Sequence, residues 1–229
     1  MGKTLPLLTV LAILALLALL LVCFVIFLLH FIYRLWRRPQ PGRAVRRTMI
    51  VIAGLLLVGV PYLLVQRYEH QLLLARVPAP LEVASVEYQL EESWGVGFMP
   101  GDNETGFVVY RLTNASAEWA RNQGSRLGDM LPGGASRWHP TPVKNAHDNG
   151  WHPYDHDPQM MSAQRAEQHL PTIAEYLEKY GFTIPIESGR DSEADQSIQS
   201  EGSFYSYGRG GSVTIVDPIR GKVYFAYAG

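Results

Sequence analysis

The residues of this sequence whose types suit metal chemistry are concentrated in positions 139–157. Imidazole and carboxylate groups together suit Zn²⁺, Mn²⁺ or Fe²⁺. The spacing contains no His-Glu-x-x-His pattern, and the prolines and glycines between the histidines disfavour a helix that would align two of them. We interpret the stretch either as a divalent-metal or proton-sensitive site, or as a proline-rich loop with solvated polar side chains. The candidate ligands are His139, His147, His152, Asp155 and His156.

Two tryptophans, Trp138 and Trp151, accompany this stretch. An exposed tryptophan beside acidic residues can anchor a protein interface, because its large ring buries much area on binding. The alternative is that both rings hold a long loop against the core of the domain. The sequence leaves both interpretations open.

The rest of the sequence carries no motif that supports catalysis. The single cysteine, Cys23, lies in an apolar run, so the soluble part has no disulfide, no cysteine zinc site and no cysteine nucleophile. There is no Gly-x-Ser-x-Gly motif. The glycine-rich segment 208–212 lacks the lysine of a phosphate-binding loop, and predicted strands flank it on both sides, so we predict a hairpin turn there.

Two apolar runs near the N-terminus decide where such chemistry would take place. Leu5–Tyr33 contains no Asp, Glu, Lys or Arg, and as a helix it would span roughly 43 Å, more than the ~30 Å hydrocarbon core. A cleaved signal peptide would have a shorter apolar region, and a lipoprotein signal would have a small residue before Cys23 instead of Val22. Thr48–Val65 is the second run, and we predict that both runs are retained membrane helices.

A short basic loop between these runs predicts their orientation. It contains six arginines and no acidic residue, and positively charged loops remain in the cytoplasm. We therefore expect a multi-pass protein of the cytoplasmic (inner) membrane, embedded in the lipid bilayer with both termini extracytoplasmic. The six arginines are Arg34, Arg37, Arg38, Arg43, Arg46 and Arg47. The predicted parts are a first membrane helix (1–33), a cytoplasmic loop (34–47), a second membrane helix (48–65), a juxtamembrane helix with a proline linker (66–80) and an extracytoplasmic domain (81–229).

The charge of the chain is divided between its two parts. Residues 1–77 contain nine Lys and Arg against one acid, a net charge of +8, and residues 78–229 contain eleven against twenty acids, a net charge of −9. An acidic domain disfavours nucleic acid as a partner, because the phosphate backbone repels it. A basic protein or a metal ion remains compatible with this charge.

The sequence of residues 81–229 predicts an α+β domain with a mainly antiparallel sheet. Alternation and β-branched composition predict strands, whereas capping residues and helical spacing predict helices. The residues 188–202 are polar and acidic, and we expect a mobile loop there. The predicted strands are Glu82–Leu90, Gly95–Met99, Gly106–Leu112, Ser203–Tyr207, Ser212–Asp217 and Lys222–Tyr227. The predicted helices are Ala115–Gln123, capped by Asn114, then 158–169 and Leu170–Tyr180.

These features favour a membrane-anchored, extracytoplasmic protein-binding module whose partner is another envelope protein. An envelope accessory subunit or an immunity-type protein would fit, and the plan is similar to that of small bacterial envelope proteins, an architectural similarity that assigns no residue. The alternative is a metal-dependent hydrolase that uses residues 139–157. A pH sensor that uses the same histidines is a third hypothesis.

Overall fold

The computed structural model describes residues 26, 30, 33, 34, 42–94, 103–132, 137–143, 151 and 170–229. The chain divides into two compact units, Met1–Leu72 and Leu73–Gly229. Most of the first predicted membrane helix lies outside the described residues, as do Arg37 and Arg38 of the predicted loop. Arg34 and Arg47 are exposed, while Arg43 and Arg46 belong to the first long helix.

Helix α1 extends over Arg43–Leu74 with Pro61 in its interior. Its segment Ile50–Leu74, 25 residues long, is long and apolar enough to cross a membrane. At 1.5 Å per residue it would span about 37 Å, compared with about 30 Å of hydrocarbon. The helix therefore continues beyond Val65 to Leu74, as the sequence predicts. It is the one candidate span in the part of the chain that the structure describes.

The second unit is built on a six-stranded sheet whose pairings are all antiparallel; the sequence predicts the antiparallel character but not strand β3. The strand order across the sheet is β1-β2-β6-β5-β4-β3. The turn between β5 and β6 has Gly221 in the left-handed region with φ 64°, which glycine adopts without strain. The strands are β1 (Val83–Trp94), β2 (Asn103–Leu112), β3 (His139–Pro140), β4 (Phe204–Tyr207), β5 (Ser212–Asp217) and β6 (Lys222–Ala228).

Helices cover both faces of this sheet. Successive side chains of a strand point to opposite faces, so Phe107 and Val109 enter one buried cluster while Val108 and Tyr110 enter the other. The helices of the unit are α2 (Asn114–Gln123), α3 (Leu127–Met130), α4 (Ile173–Leu177) and α5 (Ser192–Gln199), with 3₁₀ turns at Gly124–Arg126 and Glu178–Tyr180. The first face packs against α4 and α5, and the second packs against α2, α3 and the segment that follows α1.

The start of helix α2 corrects the predicted cap. The Thr113 side chain, not that of Asn114, accepts the hydrogen bond from the Ser116 backbone N–H at 3.2 Å. Thr113 has extended backbone angles, as a capping residue does, while Asn114 is already helical. The prediction was one residue late because both residue types are suitable caps.

The loop predicted over 188–202 is wrong, because helix α5 forms there. Ala194 and Ile198 have no exposed surface, and their spacing of four places them on one face of the helix. Only two apolar residues in this segment face the core, so the periodicity is weak and the polar composition dominates the prediction. The predicted helix over 158–169 and the short strand over 95–99 fall among residues that the structure does not describe.

Candidate binding cleft and its surroundings

The structure describes one of the five predicted metal ligands. His139 lies in β3 with an exposed side chain, and its ring centre is 5.4 Å from that of Tyr205. His147, His152, Asp155 and His156 lie outside the described residues. Within the described ranges, no group of three or more His, Cys, Asp or Glu residues is arranged to hold a metal ion. The metal site therefore stays a prediction.

The two tryptophans take different positions. Trp151 is 0% exposed; its Nε1 donates to the Thr172 carbonyl at 3.2 Å, and its ring lies 5.0 Å from that of Tyr176. This side chain belongs to a buried cluster of the second unit. Trp138 is half-buried, and its Nε1 donates to the Pro132 carbonyl at 3.0 Å.

A cleft of about 560 Å³ opens beside β3 and β4 on the face covered by α2. It is formed by the end of α2, the short strand β3, the approach to β4 and the β5–β6 turn. Its apolar surface includes Pro140, Phe204 and Ile219, and its charged residues are Arg121 and Glu201. These residues come from distant parts of the sequence, which is why no sequence motif predicts the cleft.

Two local arrangements hold the walls of the cleft in place. The Thr141 hydroxyl accepts from the Ser203 N–H and donates to the Ser203 carbonyl, both at 3.1 Å, which fastens β3 to the start of β4. Ile219 is 65% exposed and packs over Gly202, where an added methyl group would lie 3.0 Å from its Cδ1 atom. Glycine at position 202 therefore leaves room for the Ile219 side chain.

The turn that carries Ile219 is held by a cluster around a buried carboxylate, the Asp217 network, formed by Gln196, Ser197, Asp217 and Arg220. Asp217 is fully buried; its Oδ2 accepts from Ser197 Oγ at 2.5 Å and from Arg220 Nη1 at 2.7 Å, and its Oδ1 accepts from the Arg220 N–H at 2.9 Å. Arg220 Nη2 also donates to Gln196 Oε1 at 2.7 Å. The network therefore ties helix α5 to the β5–β6 turn.

A second set of ion pairs joins α5 to the far side of the sheet. Lys222 pairs with Glu87 of β1 at 2.8 Å and with Glu193 of α5, and Glu87 also pairs with Arg111. Burial alone would raise the pKa of Glu87, but the hydrogen bonds from Lys222 and Arg111 outweigh it and lower that pKa. These charges neutralise one another across four elements, which suits a structural role.

The segment after α1 is held to the sheet by a third cluster, the Arg76 clamp, formed by Arg76, Glu91, Phe225 and Tyr227. The Arg76 guanidinium pairs with Glu91 and lies 5.1 Å and 5.2 Å from the ring centres of Phe225 and Tyr227. The sequence alone indicates no structural role for Arg76. Alternation does place both rings on one face of β6, but the sequence does not show that Arg76 reaches them.

Tyr110 adds a hydrogen bond beside this clamp. Its hydroxyl donates to the Leu73 carbonyl at 2.8 Å, and burial raises the pKa of Tyr110 to about 12. The tyrosine therefore stays protonated as a donor at neutral pH. Val77 and Leu81 of the same segment are buried against this face of the sheet.

None of the described groups whose pKa is shifted lines the cleft. Asp195, for example, accepts the Ile173 N–H at 2.7 Å at the start of α4, and burial raises the pKa of its carboxyl. The cleft thus has the apolar surface and hydrogen-bonding edges of a binding site, without a nucleophile and base in contact among its described residues. Comparisons of the chain with protein-family models, with curated proteins and with solved structures find no match.

Proposed function

We propose that this chain is a membrane-anchored module that binds a protein partner outside the cytoplasm, as an envelope accessory subunit or an immunity-type protein. Helix α1 supplies an apolar segment long enough to cross a membrane. The arginines that precede Ile50 favour the cytoplasm by the positive-inside rule, so residues after Leu74 belong on the opposite side. With a second span before the arginine loop, both termini are extracytoplasmic.

The observation that carries the proposal is the cleft with Ile219 at its wall. A large apolar side chain that is 65% exposed beside Pro140 and Phe204 resembles the apolar centre of a protein interface. Arg121 and Glu201 supply polar groups that fix the orientation of a bound segment. The net charge of −9 over residues 78–229 favours a basic partner through long-range attraction.

Site-specific crosslinking in intact membranes tests the proposal. A photo-reactive amino acid replaces Ile219 in the full chain, and a matched variant carries it at Leu170, which is 58% exposed and does not line the cleft. We expect one reproducible protein adduct from position 219, and its loss when Glu201→Lys and Arg121→Glu are added. The proposal is wrong if position 219 gives no adduct, or if both positions give the same adducts.

The topology has its own test. Gly42 and Ile219 are exposed positions on the proposed cytoplasmic and extracytoplasmic sides, and each is replaced by cysteine in a separate variant. In intact cells, a membrane-impermeant maleimide is expected to label position 219 and to leave position 42 unlabelled until the membrane is opened. Labelling of position 42 alone would reverse the proposed orientation.

A further inference from the structure

The two edges of the sheet differ in their capacity to accept another strand. The outward N–H and C=O groups of an edge strand are a template for pairing with another chain. The edge at β3 is only two residues long, and Pro140 and Pro142 have no N–H to donate. The edge at β1 is 12 residues long and contains no proline.

Only the first half of β1 carries a protective irregularity. The register with β2 shifts between Val83 and Ser85 and again between Val86 and Tyr88, and such bulges disturb pairing at an edge. From Gln89 to Trp94 the register is unbroken. No strand among the described residues pairs with the outer edge of this half.

The charges around this half select the kind of strand that fits. Glu91 and Glu92 lie on β1, and Glu104 is opposite Ser93 on β2. The clamp residue Arg76 pairs with Glu91, so acidic groups remain in excess here. A second copy of the chain would bring two such acidic edges together, and facing like charges are destabilising. A basic extended segment would meet opposite charge.

We propose that the outer edge of Gln89–Trp94 binds an extended, basic segment of a partner protein by strand addition. Backbone hydrogen bonds to the edge give the affinity, and the glutamates select lysine or arginine side chains on the added strand. This surface is separate from the cleft, and the inference stands whether or not the cleft binds a protein.

Synthetic peptides test the inference on the full chain in detergent micelles. The probe is a short peptide of alternating lysine and valine, and its controls are the same peptide with N-methyl groups on alternate residues and a glutamate–valine peptide. N-methylation removes backbone donors and leaves the charge unchanged. We expect saturable binding of the probe, measured by fluorescence anisotropy, and binding at least about tenfold weaker for both controls.

Variants and crosslinks locate the site. A photo-reactive residue in place of Ser93 is expected to crosslink to the probe, and one in place of His139 is not. Glu92→Lys with Glu104→Lys should weaken binding, whereas Ile219→Asp should leave it unchanged, which separates this inference from the cleft. Equal binding of the methylated peptide, crosslinking at position 139, a crosslink within the chain or between two copies, or no saturable binding would each overturn it.

Discussion

The Asp217 network and the Arg76 clamp both pair an arginine with a carboxylate, but they do so at different depths. Asp217 is 0% exposed and accepts three hydrogen bonds, two of them from Arg220. In the clamp, the side chains of Arg76 and Glu91 are 28% and 29% exposed, and two aromatic rings supply part of the contact. The two arginines are almost equally exposed, so the pairs differ in the depth of the carboxylate, and we expect that depth to set how much each pair stabilises the domain.

The largest effect is expected from Asp217→Ala. It removes a fully buried acceptor of three hydrogen bonds, while Arg220, whose side chain is 31% exposed, stays in contact with solvent, so we expect a loss of about 2–3 kcal/mol of unfolding free energy. Urea unfolding of the detergent-solubilised chain, followed by tryptophan fluorescence, measures the loss. A loss for Asp217→Ala no larger than that for Arg76→Ala would contradict the ranking.

Arg76→Ala is expected to lower the free energy of unfolding by about 1–2 kcal/mol, since it removes a partly exposed ion pair and a cation–π contact. Arg76→Lys retains the charge but not the flat guanidinium that lies over Phe225 and Tyr227, so it should restore only part of the loss. The same unfolding measurement at low and high salt checks this, because screening weakens the ion pair and not the ring contact. Full rescue by lysine would show that the rings contribute nothing.

Glu87→Gln tests the ion pairs with Lys222 and Arg111 through the pH dependence of the free energy of unfolding. The hydrogen bonds from these cations hold the pKa of Glu87 below its usual 4.5. The carboxylate therefore stabilises the fold above that pH, and this contribution is lost as pH falls through the lowered pKa. We expect the variant to be about 1 kcal/mol less stable at neutral pH. The difference should vanish in acid, and a difference that is independent of pH would refute the assignment.

Asp195→Asn should change the free energy of unfolding least, and its effect should have the opposite dependence on pH from that of Glu87→Gln. Burial raises the pKa of Asp195, so the ionised form is disfavoured in the folded state and stability from this group increases as pH falls through the raised pKa. Asparagine keeps an oxygen to accept the Ile173 N–H and carries no charge. Thermal unfolding near neutral pH should find the variant as stable as the parent chain or slightly more so, and a clear loss there would contradict this.

The parts predicted well from sequence are those with strong local patterns. Strands β2, β5 and β6 are rich in β-branched and aromatic residues, and the long apolar run of α1 suits a helix, so short-range physical rules suffice. Helix α5 is the contrary case: it holds only Ala194 and Ile198 against the core and depends on Asp217, Arg220 and Lys222 from another part of the chain. The cleft is similar, since its walls come from four separate segments. Patterns of residues that are close in sequence do not predict contacts between residues that are distant in sequence.

The sequence by itself therefore determined the apolar helix, the antiparallel sheet and the division of charge between the two parts. These follow from composition and periodicity, which act over one or two turns of helix or one strand. Only the tertiary structure decided that Trp151 is buried, that Arg76 lies on an aromatic face, and that β1 ends the sheet with half of its length regular. Each of these depends on which distant residues meet, because burial and pairing are properties of the packed domain.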